Sequence, residues 1–154
     1  MDGLNELYRE VILDHYQNPR HQGTLPTPTI TAEGKNPLCG DELTLQLEVE
    51  DGKITAVAWN GHGCSISMAS ASMLAEQLLG KPMAAVMTLQ QAVMQFLRGA
   101  SVPSGTDLGD LEVLEGVRKF PVRIKCALLP WTTLQEGCKH YDGHTTHASY
   151  TERD

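Results

Sequence analysis

The sequence predicts an α+β fold, a small antiparallel β-sheet of about three strands with helices packed on it. Three observations carry this expectation. After an opening helical segment, the runs up to Gly61 alternate apolar and polar residues, whereas those beyond it repeat at helical spacing. Asp51-Gly52 sits between two alternating runs, the signature of a tight hairpin. No internal repeat or linker divides the 154 residues, so strands and helices must share one core.

Leu4, Leu7, Tyr8, Val11, Ile12 and His15 recur at helical spacing until Asn18-Pro19 stops the pattern, which makes the first element an amphipathic helix. Gly23 to Pro28 reads as a loop, Thr29 to Ala32 as a short edge strand, and Gly34 to Asp41 as a second loop. Leu43, Leu45 and Leu47 alternate with polar residues, Asp51-Gly52 turns the chain, and Ile54 to Trp59 alternates again. Ser65 to Leu79, rich in Ala, Met and Leu, forms a buried helix closed by Gly80-Lys81-Pro82. Two more helical patterns cover Met83 to Leu97 and Leu108 to Val117, and Met68, Met73, Met83, Met87 and Met94 are assigned to core packing. Ile124, Ala127, Leu128, Trp131 and Leu134 mark a last helix, with Pro130 inside it. One domain over residues 1–136 and a flexible tail over 137–154 are therefore expected.

Composition narrows the function. A net charge of -7 and only 5% aromatic residues leave neither the basic surface nor the stacking platforms that nucleic acid requires. No run approaches a membrane-spanning length, and Met1 to Glu6 lacks the basic start and apolar stretch of a secretory signal, so a cytoplasmic protein is expected. In that reducing compartment the four cysteines read as metal ligands or reactive thiols rather than disulfides.

Cys39-Gly40-Asp41 sets a thiol and a carboxylate two positions apart in a glycine-bearing turn, where both can converge. Cys64 follows Gly61-His62-Gly63 at a predicted helix start, whose free N–H groups and dipole favour a thiolate. Cys126 follows Arg123 and Lys125, two cations that lower a thiol pKa or offset a charged site. Three thiolates and one carboxylate suit tetrahedral Zn²⁺, but the long gaps between them leave a second reading open, in which each cysteine is a small buried hydrophobe. His62 is either a further ligand or simply exposed. Cys138, His140, His144 and His147 are either a tail metal cluster or part of a disordered segment, the latter being expected of a polar stretch without apolar periodicity.

Asn36-Pro37-Leu38-Cys39-Gly40-Asp41, Gly61-His62-Gly63-Cys64-Ser65-Ile66-Ser67-Met68-Ala69-Ser70-Ala71-Ser72 and Arg123-Ile124-Lys125-Cys126 resemble the signatures of the IscU/SufU family of iron-sulfur cluster assembly proteins. The likeness runs in the same order from Leu4 to Leu134 and includes Asp14-His15-Tyr16 and Asn18-Pro19-Arg20. Scaffolds of the IscU type carry a histidine immediately before the third cysteine; here Lys125 stands there, as in the SufU branch. The scaffolds' Leu-Pro-Pro-Val-Lys segment is replaced by Phe120-Pro121-Val122-Arg123-Ile124, and Ser101 to Lys119 resembles the SufU insertion.

The resemblance implies that Cys39, Asp41, Cys64 and Cys126 bind zinc and that Cys39 accepts persulfide sulfur from a cysteine desulfurase of the SufS type, a histidine of which replaces Cys39 on the metal. Sulfur would then pass to downstream iron-sulfur assembly proteins. Arg123 is the candidate for steadying the persulfide or the partner, its alternative being an ordinary surface charge. The rival expectation is a scaffold on which the same cysteines assemble an iron-sulfur cluster.

Overall fold

The computed structural model describes residues 3–152, with side chains described from Arg9 onward. The chain runs α1 (Gly3–Gln17), β1 (Ile30–Asn36), β2 (Asp41–Glu50), β3 (Lys53–His62), α2 (Ser65–Leu78), α3 (Met83–Leu97), a 3₁₀ segment (Gly109–Lys119), α4 (Pro121–His140) and β4 (Thr146–Thr151). The sheet order is β3-β2-β1-β4. β1, β2 and β3 pair antiparallel, as the sequence predicts, and β4 adds a fourth strand parallel to β1, so the sheet is mixed.

Alternation decides which face of the sheet is covered. Ile30 and Ala32 of β1, Leu43, Leu45 and Leu47 of β2, and Ile54 and Val57 of β3 are buried among the residues of α2 and α4. Helix α2 is enclosed nearly all round, with ten of its residues buried, which is why Ala and Ser occupy so many of its positions. Of the methionines, Met68, Met73 and Met94 join the core and Met83 packs at its edge, but Met87 is exposed. Val11 and Ile12 of α1 pack on the core; the side chains of Leu4, Leu7 and Tyr8 lie outside the described residues.

The segment expected as a fourth helix, Leu108 to Val117, is 3₁₀ instead. Leu108, Leu111, Leu114 and Val117 are all buried, and they recur every three residues, the period of a 3₁₀ helix rather than 3.6. Pro130 does not end α4: it lies inside the helix, where it withholds an N–H from the carbonyl of Cys126, while Ser70 Oγ donates to the next carbonyl, that of Ala127, at 2.7 Å.

Residues 137–152 differ most from the expected flexible tail. Gly137, where the flexible tail is expected to begin, is instead buried within α4, and a Cβ there would lie 2.9 Å from Ile30 Cγ2. On the facing strand a Cβ on Gly34 would lie within bonding distance of Thr133 Oγ1. These two glycines let α4 settle against β1 at a spacing no larger residue permits. Thr146–Thr151 then completes the sheet, its ends tied by Thr146 N–H to Thr29 O and Glu152 N–H to Lys35 O, each 2.8 Å. The strand expected at an edge, β1, is thereby internal, and it extends to Asn36, into what reads in sequence as loop. Among the described residues no helix is long and apolar enough to cross a membrane.

Candidate metal centre

Four residues, 37–40, join β1 to β2, with Asn36 and Asp41 paired across the base of the turn. Asn36, itself buried, folds the loop by accepting Leu38 N–H at its Oδ1 (3.2 Å) and Gly40 N–H at its carbonyl (2.9 Å). Gly40 takes φ +72°, the left-handed conformation that glycine adopts without strain, and this turns Cys39 back over Asp41. Asp41 is fully buried at the start of β2.

The second arm is the junction of β3 and α2. Cys64 caps α2, and its Sγ accepts Ser67 N–H at 3.4 Å, a role that a cap oxygen usually fills. Its own N–H donates to Asp41 Oδ1 at 2.9 Å, which ties the two arms together. Gly63 has to be glycine, because a Cβ there would collide with that same carboxylate oxygen. The third arm is α4, which brings in Cys126, only 2% exposed.

The donors converge. Cys39 Sγ lies 3.4 Å from Cys126 Sγ and 3.5 Å from Asp41 Oδ2, and Cys64 Sγ lies 3.9 Å from Asp41 Oδ2. A disulfide would need about 2.05 Å, so the sulfurs stand apart as free thiols. A regular tetrahedron with Zn–S about 2.3 Å and Zn–O about 2.0 Å has edges of roughly 3.8 Å between sulfurs and 3.5 Å between sulfur and oxygen. The separations among Cys39, Asp41 and Cys126 therefore match zinc dimensions, and soft thiolates with one hard carboxylate are a zinc-type set. Cys39, Asp41 and Cys126 form the tightest group, with Cys64 at its side.

The thiols do not ionise alike. Cys64 is drawn down to about 5, chiefly by the hydrogen bond from Cys126 and then by the Ser67 amide, against the opposing effect of burial. Cys126 is pushed far up because its proton serves Cys64 and its site is dry. Burial raises Cys39, with Asp41 adding to the effect. Three thiolates gathered in a dry site require a compensating positive charge.

Arg123 is exposed on α4, one turn before Cys126, and among the described residues it has no hydrogen-bond or ion-pair partner. Lys125 pairs with Glu152, its Nζ 3.6 Å from Oε1. His62 is paired as well: its ring bonds Glu42 Oε2 at 2.8 Å and its side chain is 71% exposed. Among the described residues the donors Cys138, His140, His144 and His147 form no group of three within ligand distance: His140 bonds Glu136 and His144 bonds Asp142, His140 and His147 line one cleft with Glu33, and Cys138 is packed against the core. Glu152, Gly63 and Ser67 carry no metal-ligand signal in sequence and are recognised only from these contacts.

The model of the NifU-like N-terminal domain matches residues 7–127. The chain belongs to that family. Among curated members it is 41% identical over 140 residues to the zinc-dependent sulfurtransferase SufU of Bacillus subtilis, covering 91% of this chain and 95% of that one. It is 38% identical over 136 residues to the iron-sulfur cluster assembly scaffold protein IscU of Streptococcus pyogenes, covering 88% and 85%. Among solved structures, a protein from Fervidobacterium islandicum described as an iron-sulfur cluster assembly scaffold for the SUF system superposes with a TM-score of 0.81 at 33% identity, over 87% of this chain and 98% of that one. Glu152, which follows β4 directly, is the residue that pairs with Lys125.

Proposed function

We propose that this chain is a zinc-dependent sulfurtransferase, which takes persulfide sulfur from a cysteine desulfurase of the SufS type and passes it to iron-sulfur assembly proteins in the cytoplasm. The observation that carries the reading is the convergence of Cys39, Cys126 and the buried Asp41 at zinc-like separations, with Cys64 3.9 Å from Asp41 Oδ2 and Lys125 paired with Glu152. Cys39, Asp41, Cys64 and Cys126 would hold the ion. Bound Zn²⁺ would supply the positive charge that keeps the thiolates deprotonated at neutral pH.

Cys39 is suited to be the acceptor because it alone of the three sits on a loop tip, next to the exposed Leu38. Its thiolate attacks the terminal sulfur of the donor's cysteine persulfide. The donor's S–S bond breaks, its electron pair leaves with the donor cysteine as a thiolate, and a new S–S bond makes Cys39 the persulfide; no oxidant is consumed. Arg123, exposed and unpaired among the described residues, is placed to steady the anionic persulfide or the partner's surface. Asp41 and the α2 cap hold Cys64 while Cys39 is engaged elsewhere.

The test pairs metal content with desulfurase turnover for wild type, Asp41→Ala and Cys39→Ala. About one zinc per chain, turnover stimulated by wild type, and no stimulation by a folded Cys39→Ala variant are expected. Full stimulation by Cys39→Ala would remove the acceptor role. The second reading, a scaffold for a nascent cluster, draws on the relatives that bear that name; bound iron with labile sulfide and no stimulation of turnover would establish it.

A further inference from the structure

A second group of metal-type donors lies where α1, α2 and the 3₁₀ segment meet. His15 of α1 is fully buried. Its Nδ1 lies 2.7 Å from Ser72 Oγ, and its Nε2 lies 2.8 Å from Asp110 Oδ2 and 3.7 Å from Glu76 Oε1. Nε2 and one oxygen of each carboxylate all fall within 4.8 Å of one another.

Two further features distinguish this group from an ordinary ion pair. Nε2–H donates to Asp110 Oδ2, and Ser72 Oγ, which accepts the Arg20 N–H at 2.9 Å, can donate its own hydrogen to Nδ1. With the ring proton moved to Nδ1, where Ser72 Oγ can accept it, Nε2 is free to take a cation between both carboxylates. A hydrogen-bonded ring nitrogen whose opposite nitrogen faces oxygen donors is the arrangement that orients a metal-ligating histidine. The charges also fail to balance. Asp14, Glu76 and Asp110 face a single guanidinium, that of Arg20, which is engaged by Asp14 at 2.6 Å and stands 3.7 Å from Glu76. A divalent cation at Nε2 would offset the excess, and the side chains of Glu76 and Asp110, 44% and 54% exposed, leave it a way in.

We propose that His15, Glu76 and Asp110 form a second divalent-cation site, distinct from the cysteine centre, for a first-row ion taken by nitrogen and oxygen donors. One imidazole with two carboxylates is a harder set than three thiolates, so the two sites sort metals differently. They share no ligand: Ser72 follows the Cys64 cap by eight residues, roughly 12 Å along α2. An ion bound here fastens α1 and the 3₁₀ segment onto α2, and the inference does not rest on the sulfur-transfer reading.

Mn²⁺ is a suitable probe because it competes poorly for thiolates. The zinc-loaded full chain is titrated with Mn²⁺, free Mn²⁺ is followed by its electron paramagnetic resonance signal, and thermal unfolding is recorded in parallel; Co²⁺, followed by its visible absorption, is titrated separately. One saturable Mn²⁺ or Co²⁺ per chain is expected, raising the unfolding temperature without loss of zinc and without a thiolate-to-cobalt band. Glu76→Gln and Asp110→Asn should each weaken the binding about tenfold or more, whereas Asp142→Asn, a surface control, should not. Both lost carboxylates are half exposed, so these variants keep the fold, which unfolding without added ion verifies. Uptake of neither ion, or equal affinity in both variants and wild type, would overturn the site.

Discussion

The backbone N–H of Cys64 donates to Oδ1 of the buried Asp41 at 2.9 Å, and this bond joins the β1–β2 turn to the cap of α2. Asp41 thus has two tasks: Oδ1 holds the helix start while Oδ2 faces the sulfurs of Cys39 and Cys64. Gly63→Ala tests how closely these are set, since its Cβ would collide with Oδ1. Zinc affinity, measured by chelator competition, is expected to fall about 10- to 100-fold, as when a supporting contact of a metal ligand is lost. Retention of wild-type affinity would mean that the carboxylate orientation is not critical.

Gly34→Ala is expected to destabilise the fold by about 1–3 kcal/mol through overpacking against Thr133. Adding Thr133→Ala should recover part of the loss, because it removes the oxygen nearest the new methyl group; Thr133 Cβ and Leu129 Cδ1 remain close at 3.1 and 3.3 Å. Denaturant unfolding of the two single variants and the double variant reads the coupling directly.

Cys138 provides a pH signature. Burial pushes its thiol up to about 11 from an ordinary 9. The unfolded chain releases this proton first, so between those pH values the folded state holds more protons and stability falls as pH rises. The loss approaches roughly 3 kcal/mol for a shift of this size. Unfolding of the zinc-loaded protein from pH 8 to 11 should show it, and Cys138→Ala should flatten that part of the profile. A thiol alkylation rate at pH 8 equal to that of an exposed cysteine would contradict the shift.

Arg123→Ala separates a role in the reaction from one in the fold. The side chain is exposed and unpaired among the described residues, so stability should change by no more than about 0.5 kcal/mol and zinc content should stay constant. Loss of a charge-assisted hydrogen bond to the persulfide or the partner would lower sulfur uptake by about tenfold or more. An unchanged uptake rate would return Arg123 to the status of a surface charge.

Much of this molecule is legible locally. The hairpin is visible from Asp51-Gly52 and the alternation on either side, and α2 and α3 from their periodicity and the break at Gly80 to Pro82, because such patterns depend on neighbours in the chain. The segment Leu108 to Val117 reads only as a helical pattern, and its period of three became a 3₁₀ segment once Leu108, Leu111, Leu114 and Val117 were all buried. The Cys39-Gly40-Asp41 turn and the Cys64 cap follow from the glycine and the helix start beside them.

Other features have no local cause. Gly137 looks like the start of a tail until Ile30 is placed opposite it, and Thr146–Thr151 is a polar segment until the open side of β1 offers it a ladder. The pairing of Lys125 depends on Glu152, 27 positions away in the chain, and the grouping of His15 with Glu76 and Asp110 depends on three elements packing together. By itself the sequence determined the type of α1 to α4 and of β1 to β3 and pointed to the turns that bear the candidate donors, all through short-range backbone preference and periodicity. Only the tertiary structure decided which donors meet, which cations are paired and which glycines are spacers, because these depend on close packing between segments distant in the chain.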